Sequence, residues 1–101
     1  MGAAGEQIAA RFLTDHGLDL VARNLEVDRG ELDLLVLDHG VKVVVEVRTI
    51  TGAGDPIDAV VVTKRRQVRR LAGKVAAARV DFLGVRMGTD DVVIHWVPGC
   101  G

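Results

Sequence analysis

Hydrophobic and polar positions follow two different rhythms along this chain. From Gly5 to His16 the apolar residues Ile8 and Phe12, with the small residues Ala9 and Ala10, fall on one side of a helix. Gly17 then supplies a residue that tolerates a left-handed conformation after the last turn. Leu18 to Val27 alternates loosely, as a strand does, and Asp28-Arg29-Gly30 marks a turn. Glu31 to Leu37 and Val41 to Arg48 carry the clearest strand pattern, joined across Asp38-His39-Gly40. Thr49 to Pro56 is a Gly-rich loop, and Ile57 to Val62 fits either a short strand or a first helical turn. Thr63 is a good N-cap for a helix to about Ala78, in which Val68, Leu71, Ala72, Val75 and Ala76 form one buried stripe. Val80 to Arg86 and Val92 to Val97 read as two late strands. The order is α-β-β-β-α-β-β, an α/β sandwich with a mixed sheet, in one domain spanning residues 1–101.

The central hairpin predicts a register. If His39-Gly40 forms its two-residue tip, Asp38 faces Val41, Asp33 lies opposite Glu46, and Glu31 lies opposite Arg48. Leu32, Leu34, Val36, Val43, Val45 and Val47 then share the other face, which is wholly apolar; a slip of one residue would put Asp33 and Glu46 on opposite faces. These two carboxylates are the anomaly of the chain. A strand of valine and leucine is stabilised by burial, and an ionised carboxylate there is costly unless something pairs with it. Directly opposite one another, their β-carbons would be roughly 4.5–5.5 Å apart, close enough to share one ion. Cleavage of a phosphodiester needs a nucleophilic water and neutralisation of the charge that builds on phosphorus and the leaving oxygen. Magnesium or manganese held by two or three carboxylates does both, and an adjacent cation, here Arg48, can hold the scissile phosphate.

Composition narrows the classes. With 101 residues and 49% apolar content, the chain fits one globular domain with a modest core and is not disordered. Its apolar stretches are far shorter than the roughly 20 residues that cross a bilayer, and no charged-then-apolar signal segment opens it, so no membrane partner is expected. Cys100 is the only cysteine, which rules out an internal disulfide and agrees with a cytoplasmic setting. The net charge of −1 excludes a wholly basic nucleic-acid binder, but six basic residues and no acidic one lie between Lys64 and Lys74. Lys64, Arg65, Arg66 and Arg69 are the candidate contacts to a polyanion on that helix.

Gly5-Glu6-Gln7-Ile8-Ala9-Ala10-Arg11-Phe12-Leu13, Arg23-Asn24, Gly30-Glu31-Leu32-Asp33-Leu34-Leu35 and Val45-Glu46-Val47-Arg48-Thr49 together resemble the YraN-like family of bacterial proteins. Ala59-Val60 through Lys64 and Arg79-Val80-Asp81-Phe82 extend the likeness, which covers roughly Gly5 to Val85. That family is grouped with the PD-(D/E)XK nucleases and is similar to archaeal Holliday-junction resolvases. The resemblance implies a restriction-endonuclease-like sandwich and a Mg2+- or Mn2+-dependent endonuclease acting on DNA, including branched or damaged DNA. It also implies roles: Glu6 as a helix carboxylate completing the metal shell, Asp33 as the core metal ligand, Glu46 as the second strand ligand, and Arg48 where the superfamily usually has lysine. Arginine keeps its proton and offers a rigid fork, so it can stabilise phosphate but cannot act as a base. Lys42 lies four residues back, too far along the strand to substitute. By analogy with resolvases, which cut two strands, a homodimer is one expected assembly.

Other readings stand beside these. Glu31 can serve as a salt-bridge partner of Arg48, Asp33 and Glu46 can be solvated residues of an open sheet face, and the basic helix can be a solvated surface. Gly52-Ala53-Gly54 lacks the ending of a phosphate-binding P-loop, and His16, His39 and His95 are too scattered for a zinc site. Trp96 reads as a core or edge residue. The alternative function is a non-catalytic nucleic-acid-binding or assembly module on the same fold, which Arg48 favours.

Overall fold

The computed structural model describes residues 2–54 and 62–99, with side chains described over 4–54 and 66–99. Residues 57–61 of the ambiguous segment, the side chains of Thr63, Lys64 and Arg65, and Cys100 lie outside the described residues. The elements are α1 (Gly2–Asp15), β1 (Asp19–Val27), β2 (Gly30–Asp38), β3 (Val41–Thr51), α2 (Val62–Lys74), β4 (Arg79–Met87) and β5 (Val92–Val97). They form the expected α-β-β-β-α-β-β sandwich around one five-stranded mixed sheet of order β1-β2-β3-β4-β5. Neighbours are antiparallel except β3 and β4, which run parallel with α2 as the crossover between them. Among the described residues no helix is long and apolar enough to cross a membrane.

Two cores, one on each face of the sheet, follow from strand alternation. Val43, Val45 and Val47 pack with Leu34, Val36, Leu83 and Val85 against Ala9, Ala10 and Leu13 of α1. Val44, Leu35 and Phe82 pack on the opposite face with Val68, Leu71 and Ala72 of α2. A central strand paired on both sides and covered on both faces must be apolar almost throughout, which is why β3 reads as a run of valines. Its pairing with β4 continues to Thr51 opposite Met87, so the strand extends three residues past Arg48 into the segment expected as loop.

The ends of the helices have identifiable causes. After α1, the Gly17 N–H donates to Thr14 O at 3.1 Å and the Leu18 N–H to Leu13 O at 3.0 Å, with Gly17 at φ +90° between them. The same pair of bonds closes α2, from Ala76 N–H to Gly73 O at 3.2 Å and from Ala77 N–H to Ala72 O at 3.0 Å. Here the left-handed residue is Ala76, at φ +57°. The helix therefore stops at Lys74 and not near Ala78, and it begins at Val62, one residue ahead of the expected cap Thr63. Ala76 is exposed and leaves the predicted stripe, whereas Val75 still packs against the α2 core.

Candidate functional site

The hairpin register holds only part of the way. Asp38 faces Val41 and the ladder continues through Leu34 opposite Val45, as the tip geometry predicts. It ends there, so Asp33 opposite Glu46 and Glu31 opposite Arg48 are not rungs of the sheet. The cause lies in β2 itself. Leu34 packs on the α1 face, and regular alternation would put Leu32 beside it; Leu32 instead joins the α2 core. The strand changes phase at Asp33. On its other side, the rungs to β1 run Arg23 with Leu34 and Leu25 with Leu32, and the intervening Asn24 sits at φ +52°. Asp33 is thus out of both ladders, and its Oδ2 accepts a hydrogen bond from the Val47 N–H at 2.8 Å. A side-chain oxygen satisfies the amide that a strand carbonyl would otherwise meet.

Released from the ladder, Asp33 lines a recess of about 660 Å³ together with Glu6 of α1 and Arg48, Thr49, Ile50 and Thr51 of β3. Glu6 is buried, 9% exposed. Burial first, then the carboxylates of Asp33 and Glu31, hold its pKa above the usual carboxylate range, opposed by a hydrogen bond from the Asn24 side chain and by the charge of Arg23. Asn24 thus meets the site through its amide, from a residue whose own backbone is left-handed. Asparagine is among the few non-glycine residues that adopt this conformation readily, which is the signal that sequence reasoning left unused.

Glu46 is placed differently. Between Val45 and Val47, which both face α1, its side chain leaves toward the α2 side, and it is 1% exposed. Its Oε2 lies 3.5 Å from Nη2 of Arg48, whose side chain is 37% exposed and reaches from the recess to this buried carboxylate. The three-carboxylate cluster expected from the sequence is therefore not assembled: Glu6 and Asp33 share the recess, and Glu46 adjoins it through Arg48. Among the described residues no three His, Cys, Asp or Glu side chains gather closely enough to hold a metal ion. The ion pair of Arg48 goes to Glu46, and Glu31 is exposed opposite Glu26 of β1.

The basic helix divides. Arg70 bonds Asp28 Oδ2 at 2.9 Å and Lys74 lies 3.9 Å from the same oxygen, so these two fasten α2 to the β1–β2 turn. Arg66 and Arg69 are exposed. A third carboxylate in apolar strand sequence, Asp81, has a structural role. Fully buried, it accepts Arg79 Nε at 2.8 Å and Nη2 at 3.0 Å, Trp96 Nε1 at 3.0 Å and the Gly99 N–H at 2.8 Å. Trp96 is half-buried and meets Phe12 edge-on at 6.0 Å.

The sequence profile of the uncharacterised protein family UPF0102 matches residues 5–85. A protein of that family from Nocardia farcinica is 50% identical over 74 residues, 71% of this chain and 58% of its own length, so the likeness spans under two thirds of that relative. Relatives from Symbiobacterium thermophilum and Mycobacterium tuberculosis are each 42% identical over 100 residues, covering 89% and 87% of this chain and 85% and 78% of their own. Among solved structures, the crystal structure of SSO0001 aligns with 90% of this chain and 48% of its own at 12% identity and a TM-score of 0.45.

Proposed function

The chain belongs to the uncharacterised protein family UPF0102, the YraN-like family its motifs resemble, and on that premise we propose that it is a divalent-metal-dependent endonuclease of DNA. One observation carries the reading: β2 leaves its ladder with β3 at Asp33, and Glu6, Asp33 and Arg48 line one recess. The donor set suits a magnesium or manganese ion, which uses one or two carboxylates and completes its shell with water and substrate phosphate. Glu6 and Asp33 would hold it, while Glu46, buried on the α2 side, pairs with Arg48. When bound, the ion would supply charge neutralisation at phosphorus and an acidified water. Asp33 is fixed for this role by its bond to the Val47 amide, which leaves its second oxygen to the recess. Arg48 would hold a non-bridging phosphate oxygen with its fork, and as a permanent cation it would take no proton. Arg66 and Arg69, exposed on α2, would contribute phosphate contacts along the duplex.

Incubation of the purified protein with linear, single-stranded and branched DNA, with Mg2+, Mn2+ or chelator, tests the proposal. Metal-dependent cleavage supports it. DNA binding without cleavage under every condition transfers the assignment to the second reading, a non-catalytic nucleic-acid-binding or assembly module. The ion pair of Arg48 with Glu46, at the position where a lysine would serve catalysis, is the observation that favours that reading.

A further inference from the structure

We propose that Gly5 is a positioning residue: its contact with Thr49 sets how closely α1 approaches β3, and so where the Glu6 carboxylate stands relative to Asp33. The inference rests on the nuclease reading of that carboxylate. A β-carbon built at Gly5 would lie 1.8 Å from Thr49 Oγ1, 3.1 Å from its Cβ and 3.4 Å from its Cγ2. Carbon atoms in good contact sit about 3.5–4.0 Å apart. Rotating Thr49 about its first torsion moves Oγ1 away but leaves its Cβ in place, so rotation alone does not make room. With Oγ1 rotated away, the remaining Cβ contact at 3.1 Å is a few tenths of an ångström too close, and an alanine at position 5 is accommodated by moving α1 from β3 by about that much.

The placement makes that displacement matter. Gly5 is buried inside a helix, where glycine is about 1 kcal/mol less favourable than alanine, so helix formation is no reason for it to be there. One turn on, Ala9 is fully buried and keeps the same side of α1 close to the sheet. Glu6 is the next residue along, and Glu6 and Thr49 both line the recess that contains Asp33. The contact therefore sits at the edge of the site, and a shift of the helix there is a shift of Glu6. Misplacement by about 1 Å can lower a rate by roughly 100-fold, and disturbing the support of a metal ligand lowers metal affinity by about 10- to 100-fold.

The test compares the wild-type chain, Gly5→Ala, and Gly5→Ala combined with Thr49→Gly, which clears Oγ1 and Cγ2 together with the Cβ that rotation leaves in place. Crystal structures give the spacing between the Glu6 and Asp33 carboxylates, and electron paramagnetic resonance gives Mn2+ affinity. Gly5→Ala is expected to widen the spacing and weaken Mn2+ binding by about tenfold or more, and the double variant to recover both in large part. Unchanged spacing in a folded Gly5→Ala chain overturns the proposal. If Gly5→Ala alone does not fold, the double variant must fold with the wild-type spacing; a double variant that is unfolded, or folded with the gap still open, overturns it as well. Should the wild type bind no Mn2+, the nuclease reading falls while the carboxylate spacing still decides the role of Gly5.

Discussion

The carboxylate of Asp33 stands in for a strand carbonyl at Val47, its Oδ2 accepting that N–H at 2.8 Å beyond the last rung between Leu34 and Val45. One residue therefore fastens the splayed end of the hairpin and faces the recess. The two tasks separate by substitution. Asp33→Asn keeps an oxygen for the Val47 amide and is expected to leave the fold intact while abolishing metal-dependent cleavage. Asp33→Ala leaves the amide without that acceptor and is expected to lose a further 1–3 kcal/mol or about that amount. Urea unfolding of the two variants beside cleavage assays checks the order; equal stability of both would contradict the bond's role.

Glu6 makes a pH prediction of definite sign. Its folded-state pKa is raised by burial and by Asp33 and Glu31, so the folded chain binds its proton more tightly than the unfolded chain does. Stability from this group is complete below the unfolded value of 4.5 and is lost as pH rises through the folded value. Glu6→Gln removes the charge and keeps the shape. The variant is expected to melt higher than wild type at pH 7, with the difference shrinking toward pH 4, and to have lost cleavage. Thermal melts across that range decide it, and a variant less stable at pH 7 would contradict the electrostatic account.

Arg48→Lys bears on the proton. Lysine restores a group whose pKa moves when desolvated, and general-base assistance is worth roughly 10²–10⁴-fold where it operates. Cleavage is expected to be preserved or raised, with a new dependence on pH in its rate. A loss of more than about tenfold, in the range that a bidentate phosphate contact can supply, would instead make the arginine fork the required group.

Asp81 is the control carboxylate. Asp81→Ala takes the acceptor from Arg79, Trp96 and the Gly99 amide at once, and a destabilisation of about 3–5 kcal/mol is expected. Cleavage per folded molecule should be unchanged. A stable variant lacking activity would place Asp81 in the chemistry and overturn its assignment as a structural group.

Asp81 also shows where sequence reasoning reaches its limit. Asp81, like Asp33 and Glu46, is a carboxylate within apolar strand sequence, and only three-dimensional partners tell a satisfied buried charge from a site. The element order and the hairpin tip were legible because alternation and turn chemistry are local. The phase change at Asp33 was not, since what accompanies it, a left-handed Asn24 on the neighbouring strand and a bond from the Val47 amide, lies outside its own segment. With it went the face of Leu32 and the expected meeting of Asp33 with Glu46. The end of α2 was hidden for a related reason: alanine is a strong helix former, and nothing in Ala76 announces a left-handed residue. Glu6 was placed beside Asp33 by resemblance alone; what lets the helix approach there is the Gly5–Thr49 contact, invisible in either segment read separately.

Calorimetric titration of the wild-type chain and of Asp33→Asn with Mn2+ tests the central claim most directly, because it asks whether the recess holds an ion before any substrate is chosen. The account predicts saturable binding by the wild-type chain that is lost in Asp33→Asn while the fold is retained. No binding by the folded wild-type chain, or equal binding by both, would contradict it.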